Sequence, residues 1–310
     1  MNKLTLDFQK KFEPRLIFDE SVFQRIDPAV KLHEETKRHP VSSCAACLNV
    51  IGSMASDPAE LARFLGSFGL EIEELYEFPS PVCFEGRTYH DRSYAVFEWI
   101  GPDDSPINEK GGGRGQSRTS VDAFVLAKVK GKTTQLLIEW KFTEGLSREI
   151  TLGRFCGAKG IERLQRYSRV LAELRRQGDL PFDFAEEYRR TSPKSYAGLY
   201  DLSPDHLYQL LRMTLLAKTT TGKTIGKYTL EDYRIVHLTH SQNHRINILH
   251  PEYLALSPGL QRFSGRQLHE VWNELLSARE RERFVCGHWD TAISAIENGN
   301  LRTYLSDRYV

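Results

Sequence analysis

Three residues in the middle of the chain, Asp122, Glu139 and Lys141, have types and spacing that suit metal-assisted hydrolysis. They lie in two runs rich in β-branched and aromatic residues, TSVDAFVLAKVK and TTQLLIEWKFTE, joined by a short segment that contains a glycine. Such runs around a tight turn are typical of a β-hairpin. Because alternate residues of a strand share a face, Glu139 and Lys141 project together, while Ile138 and Trp140 point the other way.

The turn of this hairpin decides what lies opposite the glutamate and the lysine. With Gly131-Lys132 as the central pair of a type II′ turn, we expect Asp122 directly across from Lys141 and diagonally from Glu139. Two adjacent carboxylates repel each other, and a hard divalent cation such as Mg²⁺ or Mn²⁺ relieves that repulsion. Such an ion activates water, and a neighbouring lysine orients the attacking hydroxide. The pattern therefore predicts a site that hydrolyses phosphodiesters.

The alternative explanation is an ion pair on an edge strand, which contributes little to stability. The chain supplies its own control, because Glu35-Thr36-Lys37 has the same tripeptide pattern in a charged segment without strand signals. The tripeptide alone is therefore weak evidence. Asp122 on the preceding strand and the apolar neighbours of Glu139 make the hydrolytic interpretation the stronger one.

Asp122 followed by Glu139-Trp140-Lys141 resembles the D…(D/E)xK signature of the PD-(D/E)XK nucleases. The resemblance implies that Asp122 and Glu139 bind Mg²⁺ or Mn²⁺, that the backbone carbonyl of Trp140 assists as a metal ligand, and that Lys141 assists the attacking water. One departure is Val121, which stands where the signature has proline. The segments SSCAACLN, RTSVDAF, IEWKFTE and LYQLLRMTLLA also resemble bacterial restriction endonuclease-like proteins.

Other residues could complete the site. Glu98, on the strand before the hairpin, either extends the acidic cluster as a metal ligand or faces solvent. Asn49 on the first helix is a further candidate. The expected substrate-binding residues are Asn49, Arg114 and Arg118 and, by analogy with the family, Gln165, Tyr167, Gln209 and Arg212. Guanidinium groups in a glycine-rich loop suit phosphate contacts, and a disordered loop is the equal alternative.

The expected fold class is α/β, with a restriction-endonuclease-like core in which helices flank a mixed β-sheet, plus additional C-terminal helices. Ser42 or Ser43 is expected to cap a first helix, and Asp57-Pro58 opens a second one. Further helices are predicted over 159–176, 205–218 and 266–283, with strands at 93–100 and 233–240. The domain prediction is an N-terminal extension over 1–41, a nuclease-like core over 42–240, and a C-terminal helical extension over 241–310 that packs on the core.

Composition sets broad limits on partners. Forty-two Lys and Arg against forty-one Asp and Glu give a net charge of +1, which neither supports nor excludes a nucleic-acid partner. The five cysteines are an odd number, and the absence of an apolar leader or membrane-length apolar run predicts a soluble cytoplasmic protein. Cys44 and Cys47 form a CxxC motif without a second ligand pair, so burial is favoured over zinc binding. The ten histidines show no evident metal-ligand set.

The sequence thus predicts a metal-dependent nuclease that acts on DNA, with a role in restriction or defence and no membrane association. An RNA-directed nuclease and a catalytically weak nucleic-acid-binding or assembly protein on the same fold are the alternatives. Cutting of both strands would favour a homodimer or a protein partner.

Overall fold

The structure is a computed structural model, which describes residues 17–25, 41–78, 82–84, 87–89, 93–101, 105–109, 118–144, 153–184, 198–255 and 257–310. Arg114, one of the predicted substrate contacts, lies outside these residues. Among the helices that are described, none has the length and apolar character needed to cross a bilayer.

The first helices begin at the polar caps that the sequence predicts. After a 3₁₀ turn over Glu20–Arg25, helix α1 runs over Ser43–Cys47 and continues as a π-helical turn over Leu48–Gly52. The side chain of Ser42 accepts a hydrogen bond from the backbone N–H of Ala45. Helix α2 spans Pro58–Gly66, and the Asp57 carboxylate caps it by accepting from two backbone N–H groups.

The strands that follow build a mixed sheet. Their bounds are β1 Ile72–Leu75, β2 Val82–Phe84, β3 Arg87–Tyr89, β4 Ala95–Trp99, β5 Val121–Val129 and β6 Lys132–Lys141. Strands β2 and β3 form a separate hairpin. Strands β1 and β4 both pair with β5, and β5 pairs with β6, all in antiparallel orientation.

The hairpin turn differs from the predicted one. Lys130 and Gly131 have φ values of 49° and 73°, so both central residues are left-handed, which is the type I′ geometry that suits the twist of the flanking strands. Val129 therefore pairs with Lys132, and the predicted register with Asp122 opposite Lys141 is wrong. The register moves by two residues, which keeps every side chain on its predicted face but places Asp122 in line with Glu139.

The rest of the described chain is mainly helical. Helix α3 spans Gly157–Arg176 and α4 spans Asp205–Thr220, close to their predicted ranges. The strands are the β7–β8 hairpin, Thr224–Ile225 with Tyr228–Thr229, and then β9 Asp232–Thr239 and β10 Phe284–His288. The remaining helices are α5 His244–Asn247, α6 Leu268–Leu275, α7 Ala278–Arg281, α8 Trp289–Ala292 and α9 Gly299–Tyr309, with 3₁₀ turns at Leu199–Leu202, Pro251–Leu254, Pro258–Phe263 and Ile293–Ala295.

One prediction about the last third of the chain was wrong, and one strand there was not predicted. The single helix predicted over 266–283 is divided, because Leu276 is extended and bridges to Phe182 between α6 and α7. Strand β10 was not predicted, and it pairs in parallel with β9, which itself pairs in parallel with β6. Within the described residues the main sheet has six strands, and the predicted α/β fold with helices around a mixed sheet is confirmed.

The two faces of the sheet carry separate apolar cores. On one face, Leu137 and Ile235 pack with residues of α3, α4 and α6. On the other face, Ile138 and Leu238 pack with residues of α1, α2 and α9. Because side chains alternate along a strand, Glu139 and Lys141 share the face of Leu137. The two charged residues therefore continue a buried apolar row at the end of β6.

Candidate active site

The candidate site lies where strands β5 and β6 separate. Their ladder ends with the pair Ala123 and Ile138. At the next position the backbone N–H of Trp140 donates to Oδ2 of Asp122 at 2.7 Å, so a carboxylate replaces a backbone carbonyl as the acceptor. This hydrogen bond holds the Asp122 side chain at the fork, the point where β5 and β6 separate.

Glu139 and Lys141 form a buried ion pair beside this fork. Their Oε1 and Nζ atoms are 2.5 Å apart, and the two residues are 5% and 8% exposed. A carboxylate and an ammonium that are removed from water in this way require mutual compensation. The arrangement is unlike the solvated edge-strand ion pair considered as the alternative.

The electrostatic environment favours a proton or another cation near Glu139. Burial raises the pKa of the Glu139 carboxyl to about 7, against the opposing effect of Lys141 and with a further rise from Asp122. Burial alone would lower the pKa of the Lys141 ammonium, but the carboxylates of Glu139, Asp122 and Glu144 outweigh it and raise that pKa. The lysine is therefore held in its charged form between several carboxylates.

Glu98 lies in the same row as Asp122. Its neighbours Phe97 and Trp99 pair with Ala123 and Val121, which aligns Glu98 with Asp122 across β4 and β5. Glu98 is 3% exposed and has a φ of 55°, so the expected alternative of solvent exposure is wrong. A non-glycine residue in this region within a strand marks local strain of a kind that clusters at functional sites. Its role as a metal ligand stays a prediction.

Helix α1 closes the site from the other face of the sheet. The Oγ atom of Ser43 donates to the backbone carbonyl of Trp140 at 3.2 Å, the carbonyl predicted to assist metal binding. Burial, and then the charge of Asp122, raise the pKa of the Cys47 thiol well above its usual value, with smaller effects of Glu98 and Glu139. Cys47 is buried and Cys44 is half-buried, and both are free thiols.

Asn49, although on the same helical segment, is engaged elsewhere. Its Nδ2 donates to the hydroxyl of Tyr309 at 2.7 Å, and its Oδ1 accepts from the backbone N–H of Phe18 at 2.8 Å. The buried amide thereby connects the N-terminal segment with the last helix. A contact between Asn49 and substrate stays a prediction.

Glu109 is the centre of a buried network that includes two of the predicted substrate contacts, Tyr167 and Arg212, and also Thr119. Its Oε1 atom accepts from the Tyr167 hydroxyl at 2.8 Å, from the Thr119 hydroxyl at 2.8 Å and from Nε of Arg212 at 3.2 Å. Its Oε2 atom accepts from the backbone N–H of Thr119. Arg118, next to Thr119, donates from Nε to the carbonyl of Ile100. These contacts join α3 and α4 to the segment that leads into Asp122.

The two predicted glutamine contacts lie on helices. Gln165 is exposed on α3 and Gln209 is half-buried on α4. The structure therefore brings together Asp122, Glu139, Lys141, the Trp140 carbonyl and Glu98. It places Asn49, Tyr167, Arg118 and Arg212 in other hydrogen bonds.

Sequence analysis missed a group of histidines beside the site. His237 of β9 pairs with Glu139 in parallel register and lies on the same face of the sheet. His206 and His269 come from α4 and α6. Burial lowers the pKa of His206 to about 4 and that of His237 well below the usual histidine value, with a smaller contribution from the charge of Lys141. The alternation of His237 with Val236 and Leu238 could have indicated which face of the sheet His237 occupies. No local sequence pattern indicates that two separate helices bring further histidines to it.

The donor chemistry at the fork fits a hard divalent cation. The carboxylates of Asp122 and Glu139, with the carbonyl of Trp140, are oxygen ligands of the kind that Mg²⁺ and Mn²⁺ prefer. Over the residues that the structure describes, no three or more His, Cys, Asp or Glu side chains are arranged to hold an ion. The ammonium of Lys141 compensates the charge of Glu139.

A comparison with known protein families gives a match over most of the chain. A family model described as "Restriction Endonuclease associating with ARP" matches residues 11–310. No curated protein and no solved structure matches the chain.

Proposed function

Because the chain belongs to the family of restriction endonucleases associating with ARP, we propose that it is a metal-dependent nuclease that hydrolyses phosphodiester bonds. The observation that carries the proposal is the buried Glu139–Lys141 ion pair beside Asp122 at the fork of β5 and β6. A charged pair in this position costs desolvation free energy, and a functional role explains why it is kept there.

The residues have distinct roles in this proposal. Asp122 and Glu139 would hold Mg²⁺ or Mn²⁺ through their carboxylates, with the Trp140 carbonyl as a further ligand and Glu98 as an additional carboxylate. The bound ion supplies polarisation of the phosphoryl oxygen and a lower pKa for an attacking water. Lys141, which the neighbouring carboxylates keep protonated, orients that water and offsets the negative charge that develops at phosphorus.

Metal binding has a consequence for the ion pair. In the structure, Nζ of Lys141 is in contact with Oε1 of Glu139. With Glu139 as a metal ligand, Lys141 would be available to orient the attacking water and to contact the phosphate.

DNA is the proposed substrate, in restriction or defence in the cytoplasm, in keeping with the description of the family. Arg114 and Arg118 near the glycine-rich stretch of the sequence, together with Gln165, Tyr167, Gln209 and Arg212, are the proposed substrate contacts. Tyr167 and Arg212 would then also serve the network around Glu109, and Arg118 would also serve its hydrogen bond to Ile100. The word "associating" in the family description supports a protein partner, and a homodimer is the alternative arrangement for cutting both strands.

The proposal is tested by cleavage of plasmid, linear duplex, single-stranded DNA and RNA with Mg²⁺ or Mn²⁺. We expect the wild-type protein to cut DNA only when metal is present, and Asp122→Asn, Glu139→Gln and Lys141→Met to lose the activity while they keep the far-UV circular dichroism of the wild type. Cleavage of RNA alone would favour the RNA-directed alternative.

A matched control separates loss of chemistry from loss of stability. Lys218 and Glu280 form a second buried lysine–glutamate pair, with Nζ and Oε1 2.8 Å apart. Glu280→Gln should reduce stability and leave cleavage intact. Unchanged cleavage in folded Glu139→Gln would sink the proposed site. Binding of DNA without cleavage under any metal would favour the alternative of a binding or assembly protein.

A further inference from the structure

Four histidines of the described residues converge on one face of the sheet next to Glu139. His237 and His288 come from the adjacent strands β9 and β10, His206 from α4 and His269 from α6. The position of His237 opposite Glu139 in the β6–β9 ladder puts the cluster on the opposite side of Glu139 from Asp122. The nuclease proposal gives these side chains no role.

The closest approach within the cluster is between His237 and His269. Nδ1 of His237 and Nε2 of His269 are 3.1 Å apart, and the two rings are perpendicular. One explanation is a hydrogen bond between two neutral imidazoles. The distance also matches two ligands on one tetrahedral zinc ion, because Zn–N bonds of about 2.0–2.1 Å place neighbouring ligand nitrogens about 3.3 Å apart.

His288 is positioned to join this pair. Its ring centroid lies 6.4 Å from that of His269, and its Nδ1 atom is 3.1 Å from the hydroxyl of Thr239. A hydrogen bond from one ring nitrogen to a neighbouring oxygen is the usual way in which a metal-binding histidine is oriented, and it leaves Nε2 for the ion. The described residues contain no preformed group of three ligands, so the proposal requires the His288 ring to turn about its Nδ1 contact with Thr239, which brings Nε2 towards the other two imidazoles.

Burial keeps these rings in the form that metals bind. It lowers the pKa of His269 to about 4, with a smaller effect of His288. It also lowers the pKa of His237 well below the usual histidine value, with further effects of His269 and Lys141. Neutral imidazole nitrogens are borderline ligands, which suit Zn²⁺ and Co²⁺ better than Mg²⁺.

We propose that His237, His269 and His288 form a binding site for a transition-metal ion of the Zn²⁺ class, separate from the carboxylate site of Asp122 and Glu139. The ion would connect β9, β10 and α6. It would lie beside Glu139, on the side opposite Asp122. Its presence does not depend on the nuclease proposal, because it requires only the three imidazoles.

The test uses the full chain, freed of metal with a chelator and then titrated with Co²⁺ and, separately, with Zn²⁺. Co²⁺ in a tetrahedral nitrogen environment has strong visible absorption, whereas an octahedral oxygen environment gives a weak spectrum. We expect one strongly absorbing Co²⁺ per chain, displaced by Zn²⁺, and a rise in the melting temperature on Zn²⁺ addition because the ion binds only the folded state.

The variants distinguish the two sites. Glu139→Gln and Asp122→Asn should keep the strong Co²⁺ band, while His237→Asn and His269→Asn should lose both the band and the rise in melting temperature. His244→Asn, at an exposed histidine outside the cluster, is the control that should behave as the wild type.

Three results would overturn the inference. The first is that the metal-free wild type takes up no strongly absorbing Co²⁺. The second is that the band survives in folded His269→Asn. The third is that the band disappears in Glu139→Gln, which would assign the ion to the carboxylate site. If His269→Asn does not fold, His288→Asn provides the same comparison at a half-buried position.

Discussion

Asp122 accepts a hydrogen bond from the backbone of Trp140 at the point where the β5–β6 ladder stops. The side chain thus ends the hairpin structurally, and in the proposed function it also binds the metal. These two roles respond differently to substitution.

Asp122→Asn should separate the two roles. The amide keeps an oxygen that can accept from Trp140, so we expect a loss of stability under about 1 kcal/mol, while the loss of charge abolishes metal-dependent cleavage. Asp122→Ala removes the acceptor as well and should cost about 1–3 kcal/mol. Urea unfolding and cleavage assays on both variants measure the difference. Equal stability of the two variants would show that the hydrogen bond contributes nothing.

Lys141→Met should destabilise the metal-free protein in a pH-dependent way. Without the lysine, ionised Glu139 is buried and uncompensated, which costs about 3–5 kcal/mol at pH 8. The folded-state pKa of Glu139 is already raised, and loss of the lysine raises it further. A raised carboxyl pKa means that stability is kept at low pH and lost as pH rises through the folded-state value.

The measurement for this variant is the free energy of unfolding at pH 5 and at pH 8. We expect the deficit relative to the wild type to be larger at pH 8. The double variant Glu139→Gln, Lys141→Met should recover much of the loss, because it removes both charges. A deficit that is the same at both pH values would contradict the explanation.

Metal binding should weaken as pH falls below 7. The pKa of Glu139 is about 7 in the metal-free protein, so at pH 6 only about one tenth of the molecules carry the ionised carboxylate that binds the ion. The Mg²⁺ concentration for half-maximal cleavage should therefore rise roughly tenfold from pH 8 to pH 6. Circular dichroism at both pH values controls for unfolding, and an unchanged Mg²⁺ requirement would argue against Glu139 as a ligand.

Glu109→Gln should lower stability by about 2–4 kcal/mol. Glu109 Oε1 accepts hydrogen bonds from the side chains of Tyr167, Thr119 and Arg212, and Oε2 accepts from the backbone N–H of Thr119. Glutamine has one acceptor oxygen, so its nitrogen cannot replace the second carboxylate oxygen. Loss of the negative charge also leaves the Arg212 guanidinium uncompensated. Thermal unfolding measures the effect, and Glu162→Gln, at an exposed i,i+4 pair with Arg166, is a control that should change stability little. A Glu109→Gln variant with the thermal stability of the wild type would show that the network does not contribute to stability.

Local sequence patterns were sufficient for much of the fold. The Asp57-Pro58 cap, the alternation in β6 and the glycine turn predicted a helix, a strand and a hairpin that the structure contains. The register failed because Lys130 adopts a left-handed conformation that propensity assigns to glycine or asparagine. An error of two residues in the register leaves each side chain on its predicted face of the sheet, so the three predicted site residues still lie together.

What the sequence could not predict depends on contacts between distant segments. Strand β10 is short, and only its parallel pairing with β9 identifies it as part of the sheet. Glu109 looks like an ordinary loop residue until α3 and α4 bring Tyr167 and Arg212 to it. Glu98 has a strand pattern around it, but its burial follows from the tertiary fold.

The type I′ turn at Lys130-Gly131 has a practical consequence. It lies at the opposite end of β5 from Asp122, and eight strand residues at about 3.3 Å each put it roughly 26 Å from the chemistry. Lys132, the first residue of β6, is exposed at that end. A cysteine introduced there could carry a fluorophore or a surface tether on a rigid hairpin. DNA cleavage by single molecules could then be followed without a change to the residues of the candidate site.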